Sequence, residues 1–119
     1  MTEYKLGEVE SRFADLIWSN EPLSTRRLTE LAQEHLNWKR TTTYTILKRL
    51  CDRGLFQNQS GTVTSLVHRE EFYAMQSEKF VEETFAGSLP AFVAAFGSRK
   101  KLSDSDIDQL QKLIDSMRG

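Results

Sequence analysis

The hydrophobic positions in the first half of the chain repeat with helical spacing in three successive segments. The first covers residues 6–18 and ends before Pro22, because proline disfavours helical geometry in the residue before it. Ser24 can cap a second helix, and a third covers residues 40–53 and ends at Gly54, a residue type that closes helices. The predicted apolar positions of the three helices are Leu6, Val9, Phe13, Leu16 and Ile17, then Leu28, Leu31, Ala32 and Leu36, then Thr43, Ile46, Leu47 and Leu50.

Two short segments follow the third helix, and the second of them is rich in β-branched residues. They cover residues 55–59 and 62–67 and meet at Ser60-Gly61, so they predict a small β-hairpin. Three helices followed by a hairpin is the element order of a winged helix-turn-helix. We therefore expect residues 1–69 to form a winged helix-turn-helix DNA-binding domain.

The second half of the chain predicts three further helices, over residues 70–85, over residues 89–96 and from Ser103 onward, where Ser103 and Asp106 have capping-box spacing. A segment this short cannot bury its many large apolar side chains alone, and closed two-fold dimers are the commonest oligomers. Residues 70–119 are therefore predicted to be a three-helix dimerisation region, in a fold that is mostly α with a small β-hairpin. The candidate buried positions of the first of these helices are Phe72, Met75, Phe80, Val81 and Phe85. The predicted dimer contacts are Phe80, Phe85, Leu89, Phe92, Val93, Phe96, Ile107, Leu110, Leu113 and Ile114.

Positive charge is concentrated in one segment of a chain whose formal net charge is −1. Residues 1–38 carry four basic and seven acidic side chains, and residues 54–119 carry seven basic and nine acidic ones. Residues 39–53 carry five basic side chains and one acidic side chain, a net charge of +4. This basic segment coincides with the third predicted helix, as expected for an element that faces nucleic acid.

The outward face of that helix carries hydroxyl and basic side chains that suit the major groove of duplex DNA. Small hydroxyl side chains can reach base edges and the thymine methyl group there. The charge alone is equally compatible with a solvated helix that binds nothing, but threonine is a weaker helix former than Ala, Glu or Lys, and the run of threonines therefore favours DNA. The predicted base contacts are Thr41, Thr42, Tyr44, Thr45 and Lys48, and the predicted phosphate contacts on this segment are Lys39, Arg40 and Arg49.

Length and composition argue against several other classes of protein. A chain of 119 residues is too short for a large multi-domain enzyme. His35 and His68 are far apart and unaccompanied in the sequence, and the single Cys51 cannot form a thiolate metal site by itself, so we expect no catalytic centre, metal or cofactor. One cysteine is typical of a reducing, cytoplasmic setting. The longest weakly polar stretch, residues 89–97, is too short to cross a membrane.

A family likeness rests on motifs spread over nearly the whole chain. They are Leu6 through Trp18, Pro22, Leu28, Trp38-Lys39-Arg40-Thr41-Thr42, Thr45-Ile46-Leu47, Arg49-Leu50 and Gly54-Leu55, followed by Phe92-Val93, Phe96, Leu102-Ser103, Ile107 and Leu110. In these motifs the chain resembles the penicillinase-repressor (BlaI/MecI/CopY) family of bacterial transcription regulators. The resemblance implies a homodimeric, sequence-specific transcriptional repressor of palindromic promoter operators, with residues 41–53 as recognition helix.

The chain departs from the family pattern at the wing and at the second helix. Family members usually have Gly-Arg at the hairpin tip and an aromatic residue on the returning strand, whereas this chain has Gly61-Thr62 and Leu66, so the wing lacks a phosphate contact. Arg27 stands where the family commonly has a capping-box Glu. Its side chain either meets a phosphate or remains in solvent without a partner.

The signalling motifs of the family are also altered. The antibiotic-responsive branch is cleaved at an Asn-Phe bond, and the aligned position here is Ala95-Phe96. The copper-responsive branch carries a C-terminal cysteine cluster, and this chain has no cysteine after Cys51. The sequence therefore identifies neither an upstream sensor nor a protease as partner.

Two other functions remain open from the sequence. The neutral wing is compatible with a dimerising protein-interaction module or anti-repressor that binds DNA weakly or without specificity. A regulator that responds to a small molecule is the third candidate, and no converging polar groups support it.

Overall fold

The computed structural model describes residues 6–119 and divides them into two compact units. The first unit runs to Ser77, and the second covers residues 78–119. Residues 1–5, which begin the predicted domain 1–69 and include two of the charges counted above, lie outside the described residues. The first unit extends past residue 69 because Phe72 is fully buried in its core. The functional boundary between residues 69 and 70 stays a prediction.

The first unit contains three helices, a small antiparallel sheet and the beginning of a fourth helix. In chain order these are α1 (Glu8–Asn20), β1 (Leu23–Ser24), α2 (Thr25–Leu36), α3 (Arg40–Asp52), β2 (Phe56–Gln59), β3 (Thr62–Ser65) and α4 (Arg69–Phe85). The strands lie in the order β1-β3-β2, and both pairs are antiparallel. This arrangement confirms the predicted winged helix-turn-helix and the mostly α fold class.

Local capping rules account for the ends of the first helices. The Ser24 side chain accepts a hydrogen bond from the backbone amide of Arg27 at 3.0 Å, as the sequence predicts for an N-cap. Asn37 follows α2 with a φ of 57°, and Gly54 follows α3 with a φ of 83°. These left-handed residues redirect the chain after α2 and after α3.

The strand β1 is an element that the sequence does not predict. Leu23 pairs with Val63 and Ser24 with Thr62, and the backbone amide of Thr25 donates to the carbonyl of Gly61 at 2.9 Å. Two residues are too few to show strand periodicity, so only the long-range pairing defines this strand. The pairing attaches the hairpin to the start of α2.

The core of the first unit is an apolar cluster with aromatic rings at its centre. Phe13 is fully buried with its ring centroid 5.0 Å from that of Trp38, and Trp18 lies 5.4 Å from Phe56 by the same measure. Val9, one of the apolar positions at helical spacing, is not part of this core, because 46% of it is exposed. The helix begins only at Glu8, so its first turn lies at the margin of the core, and Leu6 packs into the cluster from the segment before it. Leu16, Leu36 and Ile46 pack against this cluster and are only partly buried.

The second unit contains the end of α4 together with α5 (Leu89–Arg99) and α6 (Asp104–Met117). The Ser103 side chain accepts a hydrogen bond from the Asp106 amide at 3.0 Å, which confirms the predicted cap. Helix α5 continues beyond the predicted end at residue 96, because neither Gly97 nor Ser98 interrupts it.

The predicted burial along α4 is largely wrong for the single chain. Phe72 alone of the five candidate positions is fully buried, whereas Phe80 is 49% exposed. Helical spacing identifies the apolar face of α4. That face is buried only where other residues pack against it, and in the single chain they cover only part of it. The remaining candidates are half-buried: Met75, Val81 and Phe85.

None of the helices within residues 6–119 is both long enough and apolar enough to cross a membrane.

Candidate nucleic-acid interface

Helix α3 turns four of the five predicted base-contact side chains to solvent. Its inner face is fixed by Thr43, Leu47 and Leu50, which are buried in the core. Because an α-helix has about 3.6 residues per turn, the side chains on the opposite side must point outward. The exposed residues are Thr41, Thr42, Thr45 and Lys48, and Tyr44 is half-buried.

The threonines of α3 differ in what they can offer to DNA. Thr45 Oγ1 donates to the backbone carbonyl of Thr41 at 2.9 Å, and Thr43 Oγ1 donates to that of Lys39 at 3.2 Å. The hydroxyl proton of Thr45 is therefore in use, which leaves its methyl group and hydroxyl lone pairs for an outside partner. These groups suit a thymine methyl group and a base amino group.

Lys48 lies on the outer face of α3 in an ion pair with Asp52. The distance from Nζ to Oδ2 is 3.1 Å, and the two side chains are 78% and 67% exposed. Ion pairs this exposed are weak. The Lys48 ammonium can therefore exchange Asp52 for a nucleic-acid group at little cost.

A cleft of about 400 Å³ opens where the start of α2 faces the start of α3. The Cζ atom of Arg40 lies 5.5 Å from the ring centroid of Tyr44. Hydrogen bonding by the Thr25 side chain, and next by that of Arg40, lowers the pKa of the Tyr44 hydroxyl. The cleft combines hydroxyl groups, guanidinium groups and the positive end of the α2 dipole, and these suit a backbone phosphate. Its lining residues are Thr25, Arg26, Thr29, Glu30, Arg40 and Tyr44.

Three of these residues, Thr25, Arg26 and Thr29, are functional candidates that the sequence reasoning missed. The Ser24 cap locates the positive end of α2 in the sequence, and that is the one available signal. The proximity of this end to Arg40 is a tertiary contact, which the spacing of residues does not reveal.

The four predicted phosphate contacts divide between two places. Lys39 and Arg40 are exposed at the start of α3, and Arg27 lies in the first turn of α2 with its guanidinium 3.4 Å from Glu30. Arg49 lies toward the other end of α3 and faces α1, with a guanidinium nitrogen 3.7 Å from Glu10. Lys39 and Arg40 are therefore together at the start of α3, Arg27 lies on α2, and Arg49 is separate from them, with a side chain that remains 52% exposed.

The wing is fixed to the start of α2 and has a neutral tip. Asn58 Oδ1 accepts a hydrogen bond from the Gly61 amide at 3.0 Å, and the Gly61 carbonyl accepts the bond from Thr25 described above. Ser60 and Thr62 are the exposed residues on either side of Gly61. The tip therefore offers hydroxyl and backbone groups to a partner but no cation.

The base of the wing contains a polar group that corrects one sequence-based expectation. The Glu21 carboxylate accepts hydrogen bonds from the amide and hydroxyl of Ser65 at 2.8 Å, and His68 Nδ1 lies 3.2 Å from the Ser65 hydroxyl oxygen. His68 is therefore not unaccompanied. A serine nucleophile needs a carboxylate that orients the imidazole, but here the carboxylate binds the serine directly, so the group holds the wing in place.

Cys51 is the other residue that could carry chemistry. It is half-buried, and burial raises the pKa of its thiol, with a smaller contribution from the neighbouring charge of Asp52. A thiol held protonated is a poor nucleophile and metal ligand. Within residues 6–119 no three His, Cys, Asp or Glu side chains are placed to hold a metal ion.

The second unit exposes a broad apolar face. Phe80, Phe85 and Phe92 contact one another with ring centroids 5.6 to 6.0 Å apart, and an open cavity of about 570 Å³ lies between α5 and α6. Contiguous exposed apolar surfaces are typical of interaction sites. Of the predicted dimer contacts, Phe85 and Phe92 are half-buried, and the exposed ones are Phe80, Leu89, Val93, Phe96, Ile107, Leu110, Leu113 and Ile114.

Comparison with known proteins agrees with this geometry. The family model described as penicillinase repressor matches residues 6–116. The chain is 23% identical over 115 residues to the methicillin resistance regulatory protein MecI of Staphylococcus epidermidis, which covers 93% of this chain and 94% of the relative. It is 22% identical over 119 residues to a penicillinase repressor of Bacillus licheniformis, covering 97% of this chain and 93% of that one. The chain therefore belongs to the penicillinase repressor family, whose members are DNA-binding transcriptional repressors and not enzymes.

Proposed function

We propose that this protein is a homodimeric, cytoplasmic repressor that binds palindromic promoter operators through α3. The observation that carries the proposal is the exposed hydroxyl and basic face of α3, which lies in the segment 39–53 with its net charge of +4. A winged helix-turn-helix presents this helix to the major groove. Membership of a repressor family supports the same function.

Residues on the outer face of α3 read the sequence. Thr45 and Lys48 offer a methyl group, lone pairs and an ammonium group to base edges, and Thr41 and Thr42 lie beside them. Tyr44 reaches the DNA from the edge of the same face, where the cleft begins.

The cationic residues around this face bind phosphates and fix the register. Lys39, Arg40 and Arg27 surround the start of α3 and α2, and the cleft adds Arg26. Arg49 contacts a phosphate with the exposed half of its side chain while it remains close to Glu10. Such contacts supply affinity without sequence preference.

A second copy of the chain covers the apolar face of the second unit. The residues of this face are apolar, exposed and arranged along α4, α5 and α6, so a two-fold partner can bury them. Tethering makes the second half-site contact intramolecular, which increases overall affinity without any new contact. Half-sites should then lie about one helical turn, about 10 base pairs, or a multiple of it apart.

The neutral wing favours one alternative function. Gly61 is held on α2 and the tip of the wing carries no cation, so the wing makes no ion pair with phosphate. A dimerising protein-interaction module or anti-repressor would also have a wing without such a contact. Such a module forms the same dimer, but the purified homodimer does not change the electrophoretic mobility of an operator duplex.

Equilibrium binding over a range of salt concentrations tests the proposed function. We expect the logarithm of the affinity to fall linearly with the logarithm of salt concentration, with a slope of about −0.9 for each neutralised phosphate and about four to eight phosphates per dimer. Fluorescence anisotropy of a labelled operator duplex and of a random duplex measures both slopes. A flat salt response contradicts DNA binding as the function.

Three single substitutions in the same assay separate the proposed roles. Lys39→Ala should weaken operator and random duplex equally and reduce the salt slope by about one per subunit, because Lys39 contacts phosphate. Thr45→Ala and Lys48→Ala should each reduce the preference for operator over random duplex by about tenfold per dimer, or about 1.4 kcal/mol. Equal behaviour of all three variants contradicts this division of roles.

A further inference from the structure

The carboxylate of Glu10 connects the first turn of α1 with the second half of α3. Its Oε2 atom lies 3.7 Å from a guanidinium nitrogen of Arg49 and 3.8 Å from one of Arg53. The same oxygen is buried and accepts no hydrogen bond from any of residues 6–119. Burial of a carboxylate oxygen is costly unless nearby charges compensate for it. Within this part of the chain, the two guanidinium groups supply that compensation.

The two arginines differ in how easily they can leave Glu10. The Arg53 side chain is 23% exposed, about as little as Glu10 at 22%, whereas Arg49 is 52% exposed. Both distances exceed the length of about 2.7 to 3.2 Å of an N–H···O hydrogen bond, so the attraction is electrostatic and imposes little direction. A guanidinium group carries several N–H donors, and those on the exposed side of Arg49 can meet an outside acceptor. Arg49 is therefore the partner that can turn to another anion while Arg53 stays beside Glu10.

Glu10 also changes the charge of the surface that includes α3. The net charge of +4 counted for residues 39–53 includes both arginines but not Glu10, which belongs to another helix. With Glu10 packed against these arginines, the local net charge is +3. The tertiary structure thus brings an anion from α1 to a cation that is proposed to bind DNA phosphate.

We propose that Glu10 competes with DNA phosphate for Arg49 and thereby limits the affinity of the protein for duplex DNA of any sequence. This inference rests on the proposed function, because it concerns the phosphate contact assigned to Arg49. Glu10 and phosphate are both anions, so each weakens the attraction of the guanidinium group for the other. Phosphate contacts carry no sequence information, and random sites far outnumber operators in a genome. A limit on phosphate affinity therefore leaves more of the protein available for its operator.

The substitution Glu10→Gln tests the competition, because it removes the charge and keeps the shape of the side chain. The full chain is titrated against the operator recovered by selection and against a random duplex, each at several salt concentrations. We expect both duplexes to be bound about tenfold more tightly per dimer, which corresponds to two surface ion pairs of ordinary strength. The salt slope should also become steeper, because Arg49 then neutralises its phosphate fully.

A double-mutant cycle with Arg49→Ala shows whether the gain depends on Arg49. Arg49→Ala alone should weaken binding to both duplexes by no more than about threefold, because Glu10 already occupies part of that charge. Adding Glu10→Gln to Arg49→Ala should change the affinity by no more than about twofold. The same removal of Arg49 in the Glu10→Gln background should therefore weaken binding by about thirtyfold.

Two comparisons keep the test independent of other effects of the substitution. Glu8→Gln is the matched control, since Glu8 is exposed in the same turn of α1 and pairs with no arginine among residues 6–119, and its affinity should equal that of the wild type. Circular dichroism shows whether each variant is folded at the temperature of the assay. If Glu10→Gln does not fold, Arg49→Ala is compared with Lys39→Ala, and it should weaken binding less because no described carboxylate pairs with Lys39.

The outcomes distinguish this inference from the proposed function. Unchanged or weaker binding by folded Glu10→Gln overturns the competition, and so does an equal gain with and without Arg49 or an equal gain in Glu8→Gln. A loss in Arg49→Ala as large as that in Lys39→Ala also overturns it. In each of these cases the wild-type protein still binds its operator, and the proposed function stands. A flat salt response of the wild-type protein contradicts the proposed function, and the competition is overturned with it.

Discussion

The substitution Leu113→Lys is expected to weaken the proposed homodimer at least about 100-fold and to abolish detectable operator binding. Leu113 lies in the apolar row of α6 and is 51% exposed in the single chain, so a partner can bury about half of it. Burying half a leucine side chain contributes about 1 to 1.5 kcal/mol, and keeping the lysine ammonium solvated adds a further cost. Because a two-fold dimer contains the substitution twice, the total reaches at least about 3 kcal/mol.

Analytical ultracentrifugation and operator binding measure the two consequences of Leu113→Lys together. Gln111→Lys is the matched control, since it adds the same charge to the same helix outside the apolar row, and it should leave both the dimer and operator affinity unchanged. An operator affinity of Leu113→Lys equal to that of the control contradicts dimerisation through this face.

Phe13→Ala is expected to have the largest effect on stability, a loss of about 3 to 5 kcal/mol. Phe13 has no exposed surface, and its ring packs against Trp38 at a centroid distance of 5.0 Å. Removing the ring leaves a cavity between α1 and the segment that leads into α3. Since domains are stable by about 5 to 15 kcal/mol, the variant should unfold at a much lower urea concentration.

Urea denaturation followed by circular dichroism at constant protein concentration measures the effect of Phe13→Ala. Val9→Ala on the same helix is the control, because Val9 is 46% exposed, and its free energy of unfolding should change by no more than about 0.5 kcal/mol. Similar losses for both variants contradict the described core, in which α1 buries Phe13 and leaves Val9 at the margin.

Helix α3 and the capping sites could be predicted because they depend on residues close in sequence. Ser24 and Ser103 each cap a helix by a hydrogen bond to the amide three residues later, and Gly54 ends α3 through its own left-handed backbone conformation. The spacing of apolar positions by three or four residues then fixes which face of α3 is exposed. Such local rules predict the winged helix-turn-helix without any tertiary contact.

Features that depend on contacts between distant residues could not be predicted in this way. The pairing of Leu23 with Val63 and the contact of Glu21 with Ser65 each join segments about 40 residues apart, and sequence spacing carries no signal for them. The cleft beside Tyr44 and the contact of Arg49 with Glu10 have the same origin. Burial of Phe80 was predicted from helical spacing alone, but it requires a surface that the single chain does not supply.

Selection of bound duplexes from a random pool by the purified full-length protein tests the central claim most directly. A homodimeric repressor that reads DNA through α3 predicts recovery of a palindrome, with two inverted half-sites whose centres lie about 10 base pairs or a multiple of it apart. The recovered motif therefore reports the DNA partner, the two-fold symmetry and the spacing in one measurement. Recovery of sequences without a shared motif, or of a single site that is not repeated, would contradict the proposed function.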